Sequence, residues 1–133
     1  MHMKYLVTIS FSLILLLSSC IKGEGLGGNA VIEGKVYVLD YNQELTQQIG
    51  EYYGPDIDVY IIYGNDVVYS DDFKTSYDGT YRFDHLRAGN YSVFAYSEDT
   101  TGTNESVLFP VFKQVTITDK DEVVNVDDII IVK

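Results

Sequence analysis

The sequence is poor in the residues on which most catalytic and metal chemistry depends. It has one cysteine, Cys20, and two histidines, His2 and His85. A single thiol permits no disulfide within the chain and no cysteine-based metal cluster. A zinc site, which needs several His or Cys ligands, is disfavoured for the same reason. Tryptophan is absent and proline occurs only twice. Basic residues are few: nine Lys and Arg stand against twenty Asp and Glu, for a formal net charge of −11. A body this acidic repels phosphate backbones and anionic lipid head groups, so nucleic acid is discounted as a partner. The longest apolar run, Tyr5–Leu17, falls short of the roughly 20 residues that a membrane-spanning helix needs.

What remains is apolar enough to fold. Hydrophobic residues make up 46% of the 133, which argues against disorder and for one two-layer domain. The N-terminus reads separately. Met1–Lys4 carries one positive charge, Tyr5–Leu17 is an apolar stretch of secretory length, and Leu17-Ser18-Ser19-Cys20 follows. That tetrapeptide resembles the lipobox of bacterial lipoproteins: an aliphatic residue, two small residues, then cysteine. The resemblance implies that residues 1–19 are a signal peptide, that cleavage precedes Cys20, and that Cys20 is lipidated and held to a membrane. Loss of Lys4 with the signal would bring the net charge to −12. One acyl chain binds only marginally and each buried methylene adds about 0.8 kcal/mol, so two or three chains would make attachment effectively permanent. Ile21, in place of the Asp that retains enteric lipoproteins in the inner membrane, implies the outer membrane. A Cys20→Ser chain is expected to leave the membrane fraction and keep its fold. Cell fractionation with circular dichroism checks this, and a variant still in the membrane would refute the anchor.

Residues 20–29 then form the lipidated cysteine and a glycine-rich stretch, Gly23-Glu24-Gly25-Leu26-Gly27-Gly28-Asn29, which predicts a flexible spacer. Its Gly23, Gly25 and Gly28 match a dinucleotide-binding spacing, but no strand precedes them and no amphipathic helix follows. Residues 30–133 form the body, where the hydrophobic period is two. Candidate strands are Ile32–Val38, Ile57–Tyr63, Val67–Asp71, Tyr81–Phe83, Tyr91–Tyr96, Val107–Thr118 and Val123–Val132, with Pro110 marking an edge or bulge. Gly64-Asn65-Asp66, Asp78-Gly79, Arg87-Ala88-Gly89-Asn90 and Asp119-Lys120-Asp121-Glu122 supply turns between them. About seven strands at this spacing predict an all-β, Greek-key β-sandwich. Asn42–Gly54 breaks the pattern and reads either as a short helix capped at Asn42 or as a long polar loop.

Tyr77-Asp78-Gly79-Thr80-Tyr81-Arg82-Phe83, running into Leu86-Arg87-Ala88-Gly89-Asn90-Tyr91-Ser92-Val93 after an opening Gly34-Lys35-Val36, resembles the carboxypeptidase regulatory-like family of prealbumin (transthyretin-like) fold. The resemblance covers residues 30–132. It implies structural roles: Asp78 and Gly79 in a tight turn, Gly89 reversing the chain, and the Tyr91 hydroxyl bonding back to nearby backbone. Tyr81, Phe83, Leu86, Tyr91 and Val93 would fill the core. Arg87 stands where the family often has proline, which predicts a looser turn. Such modules are typically non-catalytic, and the expectation here is no enzyme.

Candidate chemistry is correspondingly thin. His85, beside Asp84, reads as a solvated loop histidine. Asp119, Asp121 and Glu122 are candidate calcium ligands, with Asp56 and Asp58, or Asp71 and Asp72, as further oxygen clusters, and none fits an EF-hand loop. Tyr37 and Tyr60 take the outward parity of their strands, and Tyr41, Tyr52 and Tyr53 sit in or beside the long connection. Such tyrosines can pack on a partner protein or stack on sugar rings. The leading expectation is a lipid-anchored module that docks on an envelope protein, partly by strand addition. The alternatives are a small carbohydrate-binding lipoprotein for polysaccharide capture and a purely structural envelope protein.

Overall fold

The computed structural model describes residues 23–101 and 108–133. Cys20 and its lipobox lie outside the described residues. Among the described residues, nine strands follow one another: β1 (Leu26–Tyr41), β2 (Gln48–Tyr53), β3 (Asp58–Tyr63), β4 (Asp71–Lys74), β5 (Thr80–Leu86), β6 (Gly89–Ser97), β7 (Phe109–Ile117), β8 (Val123–Asn125) and β9 (Ile129–Val132). They form two sheets packed as a sandwich, and the described residues contain no helix. The long strand β1 organises the first sheet. Its first half pairs antiparallel with β5 and parallel with β8, and its second half pairs antiparallel with β2 and parallel with β9. The second sheet runs β4-β3-β6-β7, antiparallel throughout.

The alternation of apolar residues explains the core. Ile32, Val36 and Val38 of β1 point inward with Ile129 and Ile131 of β9, and meet Val59, Ile61, Val93 and Val115 from the other sheet. Tyr81, Phe83, Leu86 and Tyr91 are buried among them.

Four expectations change. Nine strands replace about seven, chiefly because Val123–Val132 is two short strands, separated by Val126-Asp127-Asp128, and because β2 exists. Asn42–Gly54 is neither helix nor long loop. The Asn42 side-chain oxygen accepts from the backbone N–H of Thr46 at 2.9 Å and of Gln47 at 3.1 Å, which closes a turn. The chain then returns along β1 as β2, with Tyr53 opposite Tyr37. The strand expected at Val67–Asp71 forms instead at Asp71–Lys74, as β4. Val67, Val68 and Tyr69 fall in an exposed connection, because Gly64, at φ 58, and the bond from Ser70 N–H to the Ile61 carbonyl draw out a longer loop. Finally, β1 starts at Leu26 rather than at residue 30, so the glycine-rich stretch is docked rather than free from Gly23 onward.

The Asp78–Gly79 turn shows how local chemistry fixes a corner. Gly79 sits at φ 80 and donates its N–H to the Ser76 carbonyl at 2.9 Å. Asp78 accepts from the Ser76 hydroxyl at 2.8 Å and from Thr80 N–H at 3.2 Å. These bonds from Thr80 and Ser76, with Lys35 nearby, hold the Asp78 carboxyl well below the usual range, at about 2. Glu122 is also lowered, by backbone N–H groups of Thr118 and Asp119, as is Glu24, by its own N–H and that of Asn90. A carboxylate whose folded value is depressed contributes stability that is complete above its unfolded value, near 4, and lost as pH falls through the folded one. The melting temperature is therefore expected to hold above pH 5 and fall between about pH 4 and pH 2. Asp78→Asn should flatten that slope, and an unchanged slope would show that the turn does not contribute to it.

Candidate functional site

Pairing in the second sheet aligns three aromatic residues across adjacent strands. Tyr60 of β3 lies opposite Phe94 of β6, and Phe94 lies opposite Phe112 of β7. All three take the outward parity, on the face away from the core. The Tyr60 and Phe94 rings stack at 5.1 Å with 22° between planes, and Phe94 meets Phe112 at 4.9 Å. Two residues along β6, Tyr96 packs edge-on against both Tyr60 at 5.7 Å and Phe94 at 5.6 Å. Tyr69, from the loop after β3, closes on Tyr60 at 4.8 Å. The cluster covers its own centre: Phe94 is 6% exposed on the outer face of a sheet, while Tyr69, Tyr96 and Phe112 remain 53%, 43% and 48% exposed. Such ring pairs contribute about 0.5–1.5 kcal/mol each beyond the area they bury, which fixes the rings in place.

A cleft of about 340 Å³ opens at one edge of this platform, where Tyr60 and Tyr96 form part of its wall. The acidic residues Asp56, Asp58 and Glu98 line it, together with Ile57, Leu108, Ile131, Val132 and Lys133. Two buried hydroxyls hold this end of the sandwich together. Thr75 donates to the Gly54 carbonyl at 2.6 Å and accepts from Ile57 N–H at 2.8 Å, which fixes the chain on either side of Asp56. Ser97 accepts from Val132 N–H at 2.9 Å, and Glu98 N–H donates to the Val132 carbonyl at 3.0 Å, joining β6 of one sheet to β9 of the other. Asp58 is tied to Lys74 at 2.9 Å. The Tyr60 hydroxyl is pushed above its ordinary pKa, first by burial and then by Asp58.

The residues singled out from sequence are distributed over the molecule. Of the five tyrosines, only Tyr60 belongs to the platform. Tyr37 and Tyr53 lie together on the outer face of the other sheet, edge to face at 5.0 Å. Lys35 sits over the Tyr53 ring at 4.8 Å, and the Tyr53 hydroxyl donates to Asp128 at 2.9 Å. Tyr52 is exposed on the opposite parity of β2, and Tyr41 ends β1, its N–H donating to the Lys133 carbonyl at 2.8 Å. Tyr69, Phe94, Tyr96 and Phe112 complete the platform and lie outside the set that the sequence suggests. The available signal was an aromatic residue at successive outward positions, as at Phe94 and Tyr96.

Two of the calcium candidates, Glu122 and Asp121, make local hydrogen bonds. Glu122 accepts from Thr118 N–H at 2.9 Å, from the Thr118 hydroxyl at 3.1 Å and from Asp119 N–H at 3.2 Å, and Asp121 accepts from the Asn29 amide at 3.3 Å. Among the described residues, no three His, Cys, Asp or Glu side chains gather in a way that could hold a metal ion. His85 is exposed, 3.8 Å from Asp84. Gly89, at φ 145, begins β6. The Tyr91 hydroxyl donates to the Arg87 carbonyl at 2.7 Å and accepts from Gly25 N–H at 2.9 Å. Arg87 does not loosen its turn. Its guanidinium bonds the carbonyl of Gly23 at 2.6 Å, that of Glu24 at 3.3 Å, and that of Leu26.

No protein-family model matches the chain, and no curated protein matches it in sequence. Among solved structures, a protein from Pseudomonas aeruginosa whose suggested role is carbohydrate binding is 15% identical, with a TM-score of 0.47 over 82% of this chain and 91% of that one.

Proposed function

We propose that this chain is a non-catalytic carbohydrate-binding module, carried on a lipid at Cys20 and displayed in the cell envelope, most simply at the outer membrane. The observation that carries the binding role is the exposed aromatic platform at the mouth of a carboxylate-lined cleft. The exposed ring of Tyr96 offers flat apolar area to the C–H face of a sugar, and Tyr60 supports it from beneath. Asp56, Asp58 and Glu98 offer acceptors to its hydroxyls. A cleft of this size suits a small ligand with a few polar anchors. Its carboxylates favour neutral glycans over uronic acids or sulfated chains, which they would repel. The anchor and the kinship to carboxypeptidase regulatory-like modules rest on the sequence patterns at residues 17–20 and 77–93.

Docking of a protein by strand addition is less well supported. In the second sheet, the edge strand β4 is four residues long and contains Asp71, Asp72 and Lys74, and the edge strand β7 contains Pro110 and Lys113. Short, charged or proline-bearing edges discourage pairing with a further strand. A panel of immobilised neutral and anionic glycans, followed by calorimetric titration of those that bind, tests the reading. Binding of neutral oligosaccharides is expected. Failure of every neutral glycan, or preference for anionic ones, would overturn it.

A further inference from the structure

The glycine-rich stretch after Cys20 has the composition of a flexible linker and the geometry of a clamp. Besides the three carbonyls bonded by the Arg87 side chain, the Arg87 backbone N–H donates to the Gly25 carbonyl at 2.8 Å. Asn90 N–H donates to the Glu24 carboxylate at 3.3 Å, and Tyr91 holds Gly25 N–H. The glycines make this wrapping feasible. Gly25 and Gly27 sit at φ 133 and φ 119, and a Cβ on Gly27 would lie 3.0 Å from the Arg87 guanidinium. A planar group with five donors satisfies several carbonyls at once only if the backbone curls round it, and glycine allows that curl.

The place of the clamp in the fold gives it a consequence. It grips the start of β6, where Gly64 N–H also donates to the Asn90 carbonyl at 2.9 Å at the end of β3. The cleft lies at the other ends of those strands, by Tyr96 and Glu98 after β6 has run its length and by Asp56 and Asp58 where β3 begins. The nine residues of β6 span about 27 Å at the usual rise. Between Cys20 and Gly23 the chain can reach no more than about 11 Å.

We infer that residues 23–26 are a rigid mount that stands the sandwich on the membrane by its β5–β6 end and presents the cleft outward, about 27 Å further from the bilayer. This rests on the proposed lipid at Cys20. It makes the clamped end the surface that faces lipid head groups, and the cleft end the one open to a glycan in the surrounding medium.

The test uses the protein purified from membranes and reconstituted in phosphatidylcholine vesicles carrying a head-group spin-label quencher. A fluorescent amino acid is placed at Asn65, exposed in the loop beside the clamp, or at Glu44, exposed in the turn between β1 and β2 at the far end. Quenching at Asn65 should exceed that at Glu44 at least threefold, and Arg87→Ala should bring the two to within about 1.5-fold. Tyr91→Phe, which removes one hydroxyl and no core volume, is the second variant and should narrow the difference in the same direction. Equal quenching at the two sites in the parent protein would overturn the mount, as would a difference that neither variant changes. A protein that never associates with vesicles would instead refute the lipid reading. The mount is then tested alone by coupling Cys20, the sole cysteine, to a maleimide lipid, with the same expected and overturning ratios.

Discussion

Gly34→Ala is expected to destabilise the domain by about 3 kcal/mol, the upper end for an added methyl in a packed core, lowering its melting temperature by about 13 °C. Gly34 pairs across strands with Tyr81. A Cβ at position 34 would lie 2.5 Å from the Tyr81 hydroxyl oxygen and 2.8 Å from the ring carbon that bears it. Tyr81 is fully buried and cannot swing aside without displacing its neighbours, among them Phe83 at 6.1 Å between ring centroids. The Tyr81 hydroxyl has no hydrogen-bond partner among the described residues. Tyr81→Phe should therefore be neutral or stabilising by up to about 1 kcal/mol, since it removes a polar atom that bonds none of the described residues. Because the hydroxyl is the first atom struck, the double variant should be less damaged than the two single effects added together, by about 1 kcal/mol. Thermal melts of the four proteins give that coupling. Strict additivity would place the clash of Gly34→Ala elsewhere.

The same pair shows what a sequence of this kind discloses. Ile32, Gly34, Val36 and Val38 announce an inward face by alternation alone, and the Asp78–Gly79 turn, with Leu86 and Tyr91 after it, marks β5 and β6. Alternation could not show that Gly34 is small because Tyr81 lies across from it, since that depends on register between strands far apart in the chain. Register also hid the aromatic row. Tyr60, Phe94 and Phe112 form one row only when β3, β6 and β7 pair in a particular alignment, so tyrosines chosen strand by strand fell on both outer faces of the sandwich. The glycine-rich segment misled for a different reason. Composition reports how freely a chain can bend, and here that freedom is spent wrapping Arg87, a residue more than sixty positions away. Asn42 was legible as a cap, but the turn it closes leads into a strand because β1 offers β2 a free edge.

The platform makes the second large prediction, a selective loss of glycan binding. Tyr96→Ala should weaken affinity for a neutral oligosaccharide by about tenfold, equivalent to about 1.4 kcal/mol, which lies within the range for losing one aromatic face. Tyr96 is 43% exposed and sits at the cleft mouth, so its melting temperature should fall by no more than about 3 °C. Tyr60→Ala is a harsher change. It removes the ring on which Phe94 stacks and against which Tyr69 and Tyr96 lean, so its loss of binding mixes ligand contact with collapse of the platform. Tyr53→Ala supplies the contrast, because Tyr53 is equally aromatic, 42% exposed and on the outer face of the opposite sheet. It should leave the titration unchanged while costing the bond to Asp128 and the contact with Lys35. Calorimetric titration of all three decides between the faces. Binding that survives Tyr96→Ala and fails with Tyr53→Ala would move the site to the β1–β2 face, where Tyr37 and Tyr53 would then have to form the sugar platform.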